Sequence, residues 1–352
     1  MNGDTNKGRL ISVFGLPCGF SYFIAFVIQS LIKEALKDYD YASIANLEQL
    51  KASLSDRQHP NLFIFSDRPE QAVVEAYLRI GAPILVVCED PINVLHFIER
   101  EHKVPPDWAM RTTQQSFVGL GQLFESNQSL KIERTSDTSV RMLIDSAANH
   151  FGIPIDEKRI SDIYNNLDHE GRISDLTTLE TVYEFVSSQN KRWKITEKSE
   201  ETTSNSYKPL IRNLRELTAG NRPETYEWPV ELFVSGDFPG SSFRGRIDLT
   251  GPARCILYGP YLSLPPGAWT IRVSANVTGN QSGNGIEVQF SRLDYLLFQR
   301  FELPEEGSIE IKATIESIDA RAPSELRLLL TEGAIEGRME IMSVRVSRVY
   351  QT

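Results

Sequence analysis

Continuous apolar stretches alternate with helical patterns through the first half of the chain. The stretches at residues 10–14, 61–66 and 83–88 are short and rich in β-branched and aromatic residues, as buried strands are. Helical periodicity is found at residues 21–37, 69–80, 92–100, 139–151 and 156–167. Buried strands separated by helices of this length predict βαβ units in a parallel sheet covered on both faces. Asp156 is placed to cap the last of these helices.

The second half changes to a two-residue alternation of apolar and polar positions. The alternation is regular at residues 269–277, 285–290 and 308–315 and weaker at 325–330 and 338–349. Turns rich in Gly, Pro and Asn separate these segments, which predicts an antiparallel β-sandwich.

A polar stretch separates the two halves. Residues 194–206 contain one Ile and no aromatic residue, which predicts a mobile linker. We therefore divide the chain into an α/β domain (residues 9–190), a polar linker (191–224) and a β-sandwich (225–352).

Composition excludes several functional classes. The net charge of −10 over 352 residues argues against a general nucleic-acid binder. The five histidines and three scattered cysteines show no metal-ligand spacing, so we expect no metal, and the odd cysteine count indicates a reducing compartment. The start of the chain is polar, and the apolar residues 20–32 are too few to span a bilayer. We expect a cytoplasmic protein without a membrane span.

A glycine-containing turn, Gly15-Leu16-Pro17-Cys18-Gly19-Phe20-Ser21, follows the first strand. Backbone N–H groups at such a turn, where a helix begins, can hold an anion. Gly15, Gly19 and Ser21 are therefore candidate phosphate-binding residues. Such a site also needs a cation, and no Lys or Arg lies between Arg9 and Lys33. The alternative is a tight strand-to-helix turn that binds nothing.

A second candidate cluster follows the strand at residues 61–66. Its position is the carboxyl edge of the predicted sheet, where open α/β sheets bind ligands. Asp67 or Glu70 could act as a general base there, and Arg68 could contact an anion. The alternative is a helix start with Asp67 as N-cap, Pro69 in the first turn and Glu70 stabilised by the helix dipole.

The first half resembles the sulfotransferase family in three segments that occur in the family's order. Residues 15–21 are similar to the loop for the 5′-phosphosulfate of the donor PAPS, usually G-x-P-R-S-G-T. Residues 86–94 are similar to the 3′-phosphate segment, commonly R-D-P-x-x-V-x-x-S, with Phe97 in place of its Ser. Residues 143–163, with Phe151-Gly152-Ile153-Pro154, resemble a late family helix. The resemblance implies a P-loop-type α/β fold and a PAPS site.

The departures from these motifs argue against PAPS use. Cys18 and Glu89 stand where the family has phosphate-binding arginines. At about 4 Å and an effective dielectric constant near 20, one contact between like charges costs on the order of 4 kcal/mol. PAPS is therefore a possible but disfavoured cofactor.

The second half resembles the jelly-roll sandwiches of carbohydrate-binding modules. The resemblance is carried by residues 258–273, with their Leu-Pro-Pro-Gly-Ala-Trp segment, and by residues 337–346. Similar segments accompany bacterial glycosyltransferases and surface-polysaccharide proteins. The resemblance implies sugar binding on exposed aromatic rings, with candidates Trp228, Tyr258, Tyr261 and Tyr295. The alternative is that these aromatics fill the core, as we expect of Trp269.

Together these features predict a sulfotransferase-like protein without PAPS-dependent activity. Its sandwich would connect it to bacterial surface-polysaccharide or glycan synthesis, with a glycan or a polysaccharide-synthesis protein as partner. An active sulfotransferase with a modified donor site is one alternative. A scaffold whose sandwich binds protein is another.

Overall fold

The computed structural model describes residues 8–168, 173, 177–190, 193, 205–238, 241, 243–292 and 295–350. They form two compact units. The first contains Met1–Pro105, Gly119–Lys198 and Thr218–Gly220, and the second contains Pro106–Val118, Ser199–Leu217 and Asn221–Thr352. Most of the predicted linker, residues 194–204, lies outside the described residues.

The first unit contains a parallel sheet of five strands in the order β2-β3-β1-β4-β5. Its strands are β1 (Leu10–Phe14), β2 (Tyr39–Ser43), β3 (Asn61–Ser66), β4 (Ile84–Cys88) and β5 (Ser129–Glu133). Its helices are α1 (Gly19–Leu36), α2 (Leu47–Ser55), α3 (Gln71–Ile80), α4 (Pro91–His102), α6 (Val140–Phe151), α7 (Glu157–Leu167) and α8 (Leu179–Gln189), together with the end of α5 (Pro106–Glu125).

The sequence predicts the three central strands and misses the two at the edges. The central strands β1, β3 and β4 are almost entirely buried, because helices cover both faces of the sheet. The edge strands β2 and β5 are mostly half-buried or exposed. Polar residues are tolerated there, so these strands lack the continuous apolar run that identifies a buried strand.

The helix α1 is the core helix that the sequence predicts. It is long and apolar enough to cross a bilayer by length and composition alone, and 56% of it is buried inside the protein. The helix α7 begins as predicted, because the Asp156 side chain accepts a hydrogen bond of 2.9 Å from the backbone N–H of Arg159.

The strand order places the turn after β1 at the topological switch point of the sheet. β1 lies between β3 and β4, so the chain builds the sheet first on one side of β1 and then on the other. Ligands of open α/β sheets bind outside the carboxyl ends of the strands at such a switch point. The turn at residues 15–18 therefore occupies the position where this fold would hold a ligand.

The second unit is an antiparallel sandwich, as predicted. One sheet has the order β13-β10-β15-β6, with β8 also paired to β15, and the other has the order β12-β11-β14-β9-β7. We call them the β10 sheet and the β11 sheet. Their strands are β6 (Thr225–Glu227), β7 (Val234–Ser235), β8 (Arg246–Asp248), β9 (Arg254–Ser263), β10 (Gly267–Thr278), β11 (Gly285–Arg292), β12 (Tyr295–Glu302), β13 (Gly307–Ser317), β14 (Pro323–Leu330) and β15 (Arg338–Arg348).

Among the described residues, two α-helical segments also belong to the second unit. The helix α9 (Lys208–Thr218) contributes all but its last residue, and α5 contributes Pro106–Val118. Arg111 Nε donates a 2.8 Å hydrogen bond to the carbonyl of Pro260. The buried Gln114 side chain both donates to the Ser263 carbonyl and accepts from its N–H. Pattern alone assigned this part of α5 to the first domain, because side-chain contacts to distant backbone leave no local signal.

This assignment predicts the behaviour of nicked protein. We expect limited proteolysis to cut first within the predicted linker, residues 194–206. The two fragments should then stay associated in native size-exclusion chromatography and separate only on a denaturing gel, because Pro106–Val118 lies on the first fragment and packs within the second unit. Separate elution of the fragments, or first cuts inside β10, would contradict this account.

Candidate functional site

The turn after β1 packs tightly against the start of α1. The backbone N–H of Gly15 donates a 2.9 Å hydrogen bond to the carbonyl of Ser66 at the end of β3. A side chain at Gly15 would approach the Ser21 hydroxyl to 2.4 Å, so Ser21 requires a glycine there. Ser21 is fully buried, and its hydroxyl lies 3.3 Å from the Cys18 thiol. Ser21 is therefore turned into the protein and does not face an open anion site.

The mouth of this turn is covered by side chains and backbone from later in the chain. A Cβ atom at Gly19 would lie 2.6 Å from both the Tyr183 hydroxyl and the Trp193 carbonyl oxygen. Tyr183 and Trp193 are themselves joined by a 3.0 Å hydrogen bond between those two atoms. Gly19 is therefore needed for close packing.

The space left beside the turn is a cavity of about 20 Å³. That volume is close to what a single water molecule needs. A phosphate group does not fit it without rearrangement of the residues that line it: Cys18, Gly19, Glu89, Asn93, His96, Phe97, Arg100 and Tyr183.

Glu89 supplies an internal carboxylate at this cavity. The residue is 7% exposed, and its carboxylate accepts hydrogen bonds of 2.9 Å from the Asn93 amide and from the backbone N–H of Asp90. Arg134 Nε lies 3.3 Å from its other oxygen. The Arg134 guanidinium also lies 5.5 Å from the centre of the Tyr183 ring. The position expected to repel a donor phosphate thus holds a paired carboxylate of the chain itself.

The buried surroundings of the cavity keep the Cys18 thiol and the Tyr183 hydroxyl protonated. Burial, with a smaller contribution from the Glu89 charge, raises the pKa of the Cys18 thiol to about 12. Burial raises the pKa of the Tyr183 hydroxyl as well. Burial also raises the pKa of Glu89, against the lowering effect of Arg134. Cys18 is therefore a protonated packing residue at neutral pH and not a reactive thiolate.

The second candidate cluster is separate from this cavity. Asp67 accepts a 2.8 Å hydrogen bond from the Tyr22 hydroxyl on α1. The N-cap of α3 is Glu70, without a side-chain capping bond, so the alternative in which Asp67 caps this helix is wrong. Glu70 is exposed and Arg68 is half-buried. Asp67, Arg68 and Glu70 do not line the 20 Å³ cavity, so the structure does not bring the two candidate clusters together into one described site.

The four aromatic candidates of the sandwich occupy different environments. Trp228 is only 2% exposed, so the expectation that its ring stacks on sugar is corrected: it is a core residue. The Tyr295 side chain lies outside the described residues. Tyr258 and Tyr261 are half-buried on β9 and form a T-shaped pair with ring centres 6.5 Å apart.

Tyr261 is held in place by its neighbours. Its hydroxyl donates a 2.8 Å hydrogen bond to Glu325, which also accepts from Ser291 and pairs with Arg327 at 2.8 Å. Burial and the Glu325 carboxylate raise the pKa of the Tyr261 hydroxyl, so it remains a donor. The Arg111 guanidinium lies 5.7 Å from the centre of its ring. The Tyr261 ring and hydroxyl are therefore both already in contact with other side chains of the protein.

A row of side chains crosses the outward face of the β11 sheet. Strand pairing places Phe298 opposite Gln289, Gln289 opposite Arg327, and Arg327 opposite Tyr258. Directly paired residues point to the same face, so this row, which we call the tyrosine face, is aromatic at both ends and polar between. Three strand spacings separate its ends, about 14 Å. Phe298 is 63% exposed and was not among the sequence candidates.

A larger opening is lined by residues of the β10 sheet, together with Ser235 and Ile256 of the β11 sheet, and no sequence candidate was placed there. It is a groove of about 950 Å³, and Phe238, which is 71% exposed, contributes to its lining. We call it the Phe238 groove. The sequence signal for it was weak, because its polar residues come from strands far apart in the chain: Asp237, Arg244, Arg246, Asp248, Arg338 and Glu340.

Comparisons with known proteins find similarity among solved structures. No protein-family model matches the chain, and no curated protein matches its sequence. Among solved structures, a mouse sulfotransferase complexed with PAP is similar over 61% of this chain and 84% of its own, at 11% identity and a TM-score of 0.35. A xylan-binding module is similar over 36% of this chain and 98% of its own, at 12% identity and a TM-score of 0.27.

A third similarity is to another carbohydrate-binding module. A family 16 carbohydrate-binding module is similar over 36% of this chain and 86% of its own, at 8% identity and a TM-score of 0.24. The fold class itself rests on the strand order and registers given above. The chain combines a parallel α/β unit with an antiparallel β-sandwich.

Proposed function

We propose that this chain is a sulfotransferase-like protein without PAPS-dependent activity, which binds glycan through its sandwich in bacterial surface-polysaccharide or glycan synthesis. The observation that carries the proposal is the closed turn after β1. The 20 Å³ cavity at the switch point of the sheet is lined by Glu89, Tyr183 and Cys18. Turning it into a phosphate site would require displacing Tyr183 and placing an anion beside a carboxylate that is already there.

The sandwich supports the binding part of the proposal. The tyrosine face presents two aromatic rings with amide and guanidinium groups between them. Aromatic faces pack against sugar C–H groups, and the groups between them donate and accept hydrogen bonds as hydroxyls require. The mouse sulfotransferase named above was solved with PAP, and two of the solved structures named above are carbohydrate-binding modules, which agrees with this division of roles without deciding it.

A glycan array with the full-length chain, and a pull-down from a bacterial lysate alongside it, tests the proposal. We expect the array to give saturable binding to at least one oligosaccharide. Capture of a protein partner together with a blank array would favour the scaffold alternative and overturn glycan binding.

A further inference from the structure

The Phe238 groove has the size and shape of a ligand site. Its volume of about 950 Å³ falls within the range of roughly 300–1,000 Å³ that is usual for small-molecule sites. Its described lining comes from β7, β8, β9, β10 and β15 and from Asp237, Phe238, Ser241, Phe243 and Arg244. All of these belong to the second unit, so the groove is a property of the sandwich.

Hydrogen bonds involve Phe238 and the described residues on either side of it, Asp237 and Ser241. The backbone N–H and the hydroxyl of Ser241 both donate to the Phe238 carbonyl, at 3.1 and 2.8 Å. Asp237 accepts two hydrogen bonds from Arg254, at 2.5 and 3.1 Å, and Arg254 also donates to the Asp248 carbonyl at 2.9 Å. The backbone carbonyl of Phe238 and the side chain of Asp237 are thus hydrogen-bonded, while the Phe238 ring remains exposed. Groups held before binding lose little freedom when a ligand covers them.

Polar side chains cross the floor of the groove in two ordered rows. Strand pairing places Asn276 opposite Glu340 and Glu340 opposite Arg246. A second row, two residues along the strands, places Thr278 opposite Arg338 and Arg338 opposite Asp248. Neighbouring groups in a row are about 4.8 Å apart, and the rows are about 6.8 Å apart. Donors and acceptors thus alternate over the floor.

The charges of the groove cancel. Its lining contains three arginines and three carboxylates. Glu340 pairs with Arg246 at 3.2 Å, and Asp237 pairs with Arg254 at 2.5 Å. A lining with equal numbers of positive and negative groups gives no net attraction for an anion. Its guanidinium groups can donate hydrogen bonds to hydroxyl oxygens, and its carboxylates can accept hydrogen bonds from hydroxyl groups.

We infer that the Phe238 groove is the principal glycan site of the sandwich and that its ligand is a neutral oligosaccharide, one sugar ring of which packs on Phe238. This inference rests on the proposed glycan binding and adds to it a place and a substrate class. The hydroxyl groups of the oligosaccharide lie over the two polar rows of the groove floor.

Two matched phenylalanine variants of the full-length chain test the inference. Phe238→Ala and Phe298→Ala remove the same side chain from positions of similar exposure, one in the groove and one on the tyrosine face. The probe is the neutral oligosaccharide that gives the strongest signal on a printed array of neutral and acidic glycans. Its affinity is measured by calorimetry at about 50 mM and about 500 mM sodium chloride. Melting temperatures check that both variants fold.

We expect Phe238→Ala to weaken binding by about tenfold or more, as the loss of an aromatic anchor does. Phe298→Ala should weaken binding less than Phe238→Ala does, and the added salt should change affinity by less than about twofold, because the ligand is uncharged. If Phe238→Ala binds as the parent does and Phe298→Ala loses affinity, the Phe238 groove is not the principal glycan site, although the sandwich still binds glycan. Binding restricted to acidic glycans would overturn the neutral assignment. A blank array would overturn the inference together with the proposed function.

Discussion

Replacing Trp269 by alanine should destabilise the sandwich by about 3–5 kcal/mol, the range for removing a large buried aromatic side chain. Trp269 is 0% exposed, and its ring centre lies 5.5 Å from that of Tyr226. Its indole N–H donates a 2.9 Å hydrogen bond to the Pro265 carbonyl, and the Arg348 guanidinium lies 4.8 Å from the ring centre. The substitution therefore opens a cavity, leaves the Pro265 carbonyl without its donor and removes the ring beneath Arg348.

Urea denaturation followed by circular dichroism measures this effect. Phe298→Ala is the matched control, since an exposed side chain should change the free energy of unfolding by no more than about 0.5 kcal/mol. A loss below about 1 kcal/mol in Trp269→Ala would mean that Trp269 does not belong to the core.

Glu89→Ala should destabilise the first unit by about 3–5 kcal/mol, because it leaves the Arg134 guanidinium without its buried carboxylate. The Asn93 amide and the Asp90 N–H lose their acceptor at the same time. Glu89→Gln is the matched control. It retains an acceptor for both donors and loses only the charge, so it should lose less stability than Glu89→Ala at neutral pH.

The same position should make stability depend on pH. Burial raises the pKa of Glu89 above its ordinary value of 4.5, so the folded protein holds this proton more strongly than the unfolded chain. The free energy of unfolding contributed by Glu89 is therefore highest below 4.5 and falls as the pH rises through the raised folded value. Glu89→Gln should flatten this part of the stability curve. An unchanged curve in Glu89→Gln would contradict the raised pKa.

The pattern of apolar and polar residues predicts those strands whose burial leaves a signal in their own sequence. β1, β3 and β4 are buried on both faces, so a continuous apolar run marks each of them. The strand β10 alternates because one of its faces is buried. The half-exposed edge strands β2 and β5 carry neither signal. The assignment of Pro106–Val118 to the second unit depends on contacts with backbone more than a hundred residues away.

The candidate sites also combine features that the sequence shows with features that only the folded structure shows. Cys18 and Glu89 in place of the expected arginines were visible in the sequence and drew attention to the turn after β1. The closure of that turn was not visible, because Tyr183 and Trp193 reach it from beyond α7. The Phe238 groove was missed because no local pattern distinguishes an exposed phenylalanine beside a groove from any other exposed apolar residue.

Calorimetric titration of the full-length chain with PAP at low salt tests the central claim most directly. PAP carries both phosphate groups that the donor site of a sulfotransferase would have to hold. We predict no measurable binding at PAP concentrations up to about 1 mM. This corresponds to a binding free energy weaker than about 4 kcal/mol. The reasons are the 20 Å³ volume of the cavity and the buried Glu89 carboxylate on its wall. Micromolar or tighter binding of PAP would contradict the account.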